Sequence, residues 1–190
     1  PAQYQLARLE LAKELIIRKK YDDALALIDE CYIYPTHLGE GKLPGAQEND
    51  FNYYKAYILQ QQGRPEEAHS LFVKACSGNS QPAAAMYYND QKPDKIFYQG
   101  LAYRKLGEEE KARSRFNQLI TYGEEHLFDR FKMDYFAVSL PDLLIWEDDM
   151  DKKNRIHCNY LMALGHLGLG NRTKAEHFFD IAASMDNNHQ

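Results

Sequence analysis

Apolar residues recur along this chain at intervals of three and four, the spacing that gathers them on one face of an α-helix, and the amphipathic blocks come in pairs. One arrangement repeats. In QQQGRPEEAHSLFVKA, Gly63 is followed five residues later by Ala68, four later by Phe72 and three later by Ala75. YQGLAYRKLGEEEKARSRFNQL supplies Gly100, Tyr103, Gly107, Ala112, Phe116 and Leu119 at matching positions. MALGHLGLGNRTKAEHFFDIAASMDNN supplies Ala163, His166, Gly170, Ala175, Phe179 and Ala182. A weaker copy near the start has Ala12, Leu15, Lys19, Ala24, Ile28 and Cys31, with Lys19 where the others carry glycine. Each copy predicts two amphipathic helices joined by a tight turn, with glycine ending the first helix. The small residues let the two backbones approach, and Phe72, Phe116 and Phe179 are expected to fill the space between neighbouring pairs. A single pair cannot bury its own apolar face, whereas stacked pairs bury a continuous core.

The repeats span about 5–34, 51–77, 95–121 and 156–186, and the anchoring alanines Ala24, Ala68, Ala112 and Ala175 stand 44, 44 and 63 residues apart. Insertions therefore separate the pairs, at 35–50, 78–94 and 122–155, and the last is long enough to hold one or two further helices. The whole chain, 1–190, reads as a single helical-repeat domain.

Where Gly100, Tyr103, Gly107, Ala112 and Phe116 stand together, the sequence resembles the tetratricopeptide repeat family. The resemblance implies an all-α fold of about four antiparallel helix pairs forming a right-handed superhelix, with insertions between the repeats. The fourth copy departs from the pattern, with His166 in place of the tyrosine and Asn187 in place of a closing proline, as suits a terminal repeat with a polar outer face. The segments LGEGKLPGAQEND, AMYYNDQKPDKIFYQGLA, DYFAVSLPDLLIWEDD and IHCNYLMALGHLGLG are also similar to the C-terminal repeat region of large bacterial proteins whose upstream part is a β-rich domain of unassigned function. That likeness implies a C-terminal module of a longer cytoplasmic protein with a link to carbohydrate metabolism. It carries over no catalytic residue.

Composition narrows the function more than the fold. With 44% hydrophobic and 27% charged residues the chain is built to fold, and it has no apolar run of the roughly 20 residues that cross a bilayer. A net charge of −5 with scattered Lys and Arg disfavours nucleic acid. Cys31, Cys76 and Cys158 lie far apart without C-x-x-C pairing, as expected of reduced thiols in a cytoplasm. The chain opens at Pro1 with no basic and apolar leader, so it is expected to be part of a longer protein.

In stacked helix pairs the first helices line the concave face. The candidate groove residues are Tyr53, Tyr57 and Gln60, then Phe97, Leu101 and Arg104, then His157, Tyr160 and Leu164; aromatic and Arg side chains suit peptide anchoring, although each could instead pack against the next repeat. Glu40, Gln47 and Asp50 in the first insertion could surround a polar ligand, or Asp50 could cap the following helix. Tyr87, Tyr88, Asn89, Asp90 and Gln91 in the second have the chemistry of a sugar-stacking or peptide-clamping surface, against a structural turn with Asp94 capping a helix near Lys95. The acids from Glu147 to Asp151 lack the glycine of a calcium loop and read as a capped helix start.

No metal is expected, because His157 and His166 are nine apart and no H-E-x-x-H occurs. The glycines of LGHLGLG, Leu164 to Gly170, follow no strand, and a nucleophile elbow and a phosphate loop are both missing, so no cofactor and no enzymatic activity are expected. The sequence therefore points to a scaffold module that binds a polypeptide segment of its own parent chain, such as its upstream domain, or of a partner. Two alternatives stand beside it: an accessory domain that completes the active site of an upstream carbohydrate-active domain, and self-association through the terminal repeats.

Overall fold

The computed structural model describes residues 2–34, 39, 41–42, 45–84, 92–130 and 149–186. These form eight α-helices with no strand among them: α1 (Ala2–Ile17), α2 (Tyr21–Cys31), α3 (Asn49–Gln61), α4 (Pro65–Ala75), α5 (Pro93–Lys105), α6 (Glu109–His126), α7 (Met150–Gly168) and α8 (Arg172–Met185). Consecutive helices pack as pairs, α1 on α2, α3 on α4, α5 on α6 and α7 on α8. The odd-numbered first helices also touch one another from α3 to α5 to α7. No helix among the described residues is long and apolar enough to cross a membrane.

The turn inside each pair has one geometry. Lys19, Gly63, Gly107 and Gly170 all have positive φ, at 59°, 75°, 78° and 80°. Beyond each, a backbone N–H reaches back five residues at 2.9 Å: Lys20 to the Leu15 carbonyl, Arg64 to Leu59, Glu108 to Tyr103 and Asn171 to His166. This bond satisfies a carbonyl that the helix end would otherwise leave unpaired. Lys19 adopts the same conformation with a side chain, at a steric cost glycine avoids. Lys19→Gly is therefore expected to raise stability by about 1 kcal/mol, read as a higher urea midpoint with unchanged slope. A lowered midpoint would show that the left-handed conformation costs nothing here.

The anchoring alanines Ala24, Ala68, Ala112 and Ala175 are all buried, as are Phe72 and Phe116. Each phenylalanine fills space within its own pair. Phe72 packs on Tyr53, Phe116 on Phe97, and the half-buried Phe179 on Tyr160. Phe116 also reaches the next pair, where it joins Leu161 and Leu164 of α7. Burying a ring of this size contributes roughly 3 kcal/mol.

A second repeated contact was not legible in the sequence. Gln5 donates through Nε2 to the Cys31 carbonyl at the end of α2, and Asn49 through Nδ2 to the Ala75 carbonyl at the end of α4, both across 26 residues. Asn154 likewise donates to the His126 carbonyl that ends α6. Each supplies a donor to the last turn of a second helix, where carbonyls lack intrahelical partners.

The third insertion is partly spent on lengthening its neighbours. α6 runs on to His126 and α7 begins at Met150, and the two pack along much of their length. The extra helices expected within 122–155 would fall on 131–148, outside the described residues. Asp149 does cap α7, accepting a hydrogen bond from the Lys152 N–H at 2.8 Å. The other two expected caps do not form. Asp50 and Asp94 lie inside the first turns of α3 and α5, which Glu48 and Lys92 precede without side-chain capping bonds.

His166 is buried and stacks on Phe178 with ring centroids 5.6 Å apart. Burial, and after it Lys174, hold its imidazole below the usual value. The folded state therefore takes up this proton less readily than the unfolded chain, so stability falls as pH drops below about 6.5 toward the folded value. His166→Phe is expected to remove this share of the acid sensitivity, seen as a smaller loss in melting temperature between pH 7.5 and 5.5. Equal losses in both proteins would mean that the ring protonates freely in place.

Candidate functional site

α3, α5 and α7 present the predicted groove residues one helical turn apart, and the three helices place them unequally. Tyr57 and Gln60 near the end of α3 meet the end of α5: the Lys105 ammonium donates to Gln60 Oε1 at 3.3 Å and sits 5.3 Å from the Tyr57 ring centroid. The ammonium of Lys105 has no carboxylate partner among the described residues. Arg104 beside it is exposed, makes a two-pronged pair with Glu109 at 3.1 Å, and covers the Phe116 ring at 5.1 Å. Tyr53 is half-buried between Phe72, Tyr54 and Tyr98, and Leu101 is half-buried against the same core as Phe97.

The α7 residues and Phe97 are turned further inward. Phe97 is 9% exposed between Tyr98 and Phe116, and Leu164 is 6% exposed. Tyr160 is half-buried against Phe179. His157 is 4% exposed, and its Nε2 lies 2.8 Å from the Ala83 carbonyl, which it ties to α7. These residues shape the floor of the surface, whereas Tyr57, Gln60, Arg104 and Lys105 form its open rim.

Of the first-insertion residues, Asp50 is in the first turn of α3 rather than in a loop, and it is 2% exposed. Its Oδ2 accepts from Lys95 Nζ at 2.6 Å, with Asp94 on the same ammonium at 3.5 Å, so the pair bridges α3 and α5. Burial pushes the Asp50 carboxyl up against the pull of Lys95. Burial also opposes the Lys95 ammonium, but the two carboxylates outweigh it and hold that group up. Gln47 borders a separate depression of about 590 Å³ with Tyr32, Asn52, Lys55 and Lys74. Glu40, Tyr87, Tyr88, Asn89, Asp90 and Gln91 lie outside the described residues.

Several residues that sequence reasoning passed over lie beside or beneath this surface, with Tyr98 and Gln99 buried. Tyr54 and Tyr98 occupy the same place in successive repeats, 44 residues apart, and their hydroxyls lie 3.0 Å apart. Lys13 of α1 reaches within 5.6 Å of the Tyr54 ring centroid. The repeat spacing itself carried this signal, since equivalent positions on adjacent first helices become neighbours. Gln99 was also missed; it is fully buried and donates to the Ser77 and Asn79 carbonyls at 3.1 and 2.9 Å, which holds the chain leaving α4.

All three thiols are free, and burial pushes Cys31 and Cys158 up to about 12 and Cys76 up to about 11, so they stay protonated and weakly nucleophilic at neutral pH. Among the described residues no group of three His, Cys, Asp or Glu side chains is placed to hold a metal ion. What the arrangement offers is aromatic rings, amides and cations on rigid helices, the chemistry of recognition. No protein-family model matches the chain, and no solved structure matches it.

Proposed function

We propose that the chain is a tetratricopeptide-like, right-handed superhelical array whose first helices hold a polypeptide segment, either of its own parent chain or of a partner. The observation that carries this reading is the rim where α3 and α5 meet, at which Lys105 reaches Gln60 and Tyr57 while lacking a carboxylate partner among the described residues. Here an aromatic ring, an amide and an ammonium lie together on an exposed surface, and each can take a different part of an extended peptide: an apolar side chain, a backbone amide and a carboxylate or carbonyl. The four identical turns and the first-helix contacts support the array reading, because they stack equivalent positions side by side. Rigid helices keep these side chains ordered before binding, which limits the entropy lost on association.

The test is selection of dodecapeptides from a random library on the immobilised chain, followed by affinity measurement on a Tyr57→Ala/Lys105→Ala double variant. Binders are expected to weaken about tenfold, roughly 1.4 kcal/mol, with the melting temperature unchanged. Selected peptides whose affinity ignores both substitutions would place binding elsewhere.

A further inference from the structure

α3 carries Tyr57 and Gln60 on the side that meets Lys105, whereas Asn52 and Lys55 fall on another side of the same helix. There they border the depression of about 590 Å³, which lies between the end of α2, the chain entering α3 and the last turns of α4. Its size is within the roughly 300–1,000 Å³ of small-molecule sites. Hydrogen bonds fix its walls. The Tyr32 hydroxyl at the end of α2 donates to Asn52 Oδ1 at 2.9 Å. Asn49 donates to the Ala75 and Ser77 carbonyls, both at 2.8 Å, and Gln99 holds the same Ser77 carbonyl from α5. The depression is therefore shaped before a ligand arrives, which limits the entropy lost on binding.

The lining is mostly polar, with the half-buried Leu71 as an apolar wall. Because Asn52 Oδ1 is taken by Tyr32, the amide nitrogen, which has no partner among the described residues, remains as a donor. Two of the charges at the depression are answered locally: Glu48 pairs with Lys42, and Lys55 pairs with Asp29 at 2.5 Å. The third is Lys74, which is exposed and has no carboxylate partner among the described residues. One ammonium is therefore in surplus on a chain whose net charge is −5. A carboxylate entering here gains a charge-assisted bond from Lys74 and a second donor from Asn52, and a hydroxyl on the same molecule can donate to Glu48. A cation would instead meet Lys55 and Lys74.

We infer that this depression binds a small hydroxylated carboxylate, with the carboxylate on Lys74 and Asn52 and a hydroxyl on Glu48. The site is separate from the peptide-holding surface and does not depend on that reading.

Glucuronate, glucose and glucosamine share one ring and differ in charge, so titrating each into the isotopically labelled chain at equal ionic strength, followed by amide NMR shifts, tests this. Glucuronate is expected to shift amides within 45–55 and 71–78 and to bind about three- to fivefold tighter than glucose, with glucosamine weakest. Lys74→Met should bring glucuronate down to the level of glucose without changing the melting temperature, because the lysine is exposed. Lys105→Met, which removes an ammonium from the groove rim instead, should leave the preference as it was. Equal binding of glucuronate and glucose, a preference that survives in Lys74→Met, or shifts that avoid 45–55 and 71–78 would each overturn the site. None of these outcomes bears on the peptide-holding reading, which rests on Lys105, Gln60 and Tyr57.

Discussion

Replacing Lys95 by methionine is expected to destabilise the chain by about 3–5 kcal/mol at neutral pH, measured by urea unfolding, although methionine matches the lysine stem in length. The side chains of Lys95 and Asp50 are 12% and 3% exposed, so little water remains to solvate the carboxylate once the ammonium has gone. The cost arises from the abandoned Asp50 charge rather than from the lost attraction. It follows that Asp50→Leu combined with Lys95→Met should be far milder than Lys95→Met alone, since neither charge is then left behind.

The same argument predicts a pH signature. Burial already holds the folded Asp50 carboxyl above its ordinary value, and removing Lys95 raises it further. The folded variant then binds a proton that the unfolded chain still releases. Its deficit is full above the raised folded value and shrinks as pH falls through that value toward about 4. A Lys95→Met protein that costs under 1 kcal/mol, or a deficit that does not move with pH, would show that water reaches the pair.

Gly165→Ala should also destabilise, by about 2–3 kcal/mol, although alanine is the better helix former by about 1 kcal/mol. A methyl group there would lie 2.6 Å from the Phe116 carbonyl oxygen and 2.5 Å from Ile120 Cγ1, both on α6. The carbonyl belongs to a helix backbone and cannot rotate aside, so α6 and α7 must separate. Gly123 on α6 is the reciprocal position, where a methyl would meet the Cys158 carbonyl at 2.7 Å and Met162 Cγ at 2.6 Å. The Gly123→Ala/Gly165→Ala pair should accordingly cost less than the sum of its parts, because helices already parted by one methyl accommodate a second more easily. Gly41→Ala, with open space around it, is the control expected to be neutral. A Gly165→Ala protein as stable as the wild type would mean that the helices already stand apart. Separation would also move Tyr160 and Leu164 relative to α5, so the variant is expected to lose peptide affinity along with stability.

By itself the sequence determined the all-helical fold, the helix pairs, the glycine turns, the buried alanines and an acid-rich helix start between Glu147 and Asp151. These depend on residues within one or two turns of each other, where apolar spacing and backbone preference leave few alternatives. It also placed Tyr57, Gln60 and Arg104 on a first helix with their side chains at the surface. Tertiary structure decided which charges and rings meet. Asp50 finds Lys95 45 residues away instead of capping its own helix, and Lys105 finds Gln60 across the same interval. Phe97 and His157 turn inward, and Lys13 comes to rest on Tyr54. Those contacts depend on how far one helix pair is rotated and staggered against the next. That stagger is set by interlocking side chains such as Phe116 against Leu161 and Leu164, and by how closely the glycines let α6 and α7 approach. A hydrophobic pattern says which face of a helix is buried, and only the packed neighbour determines what that face touches.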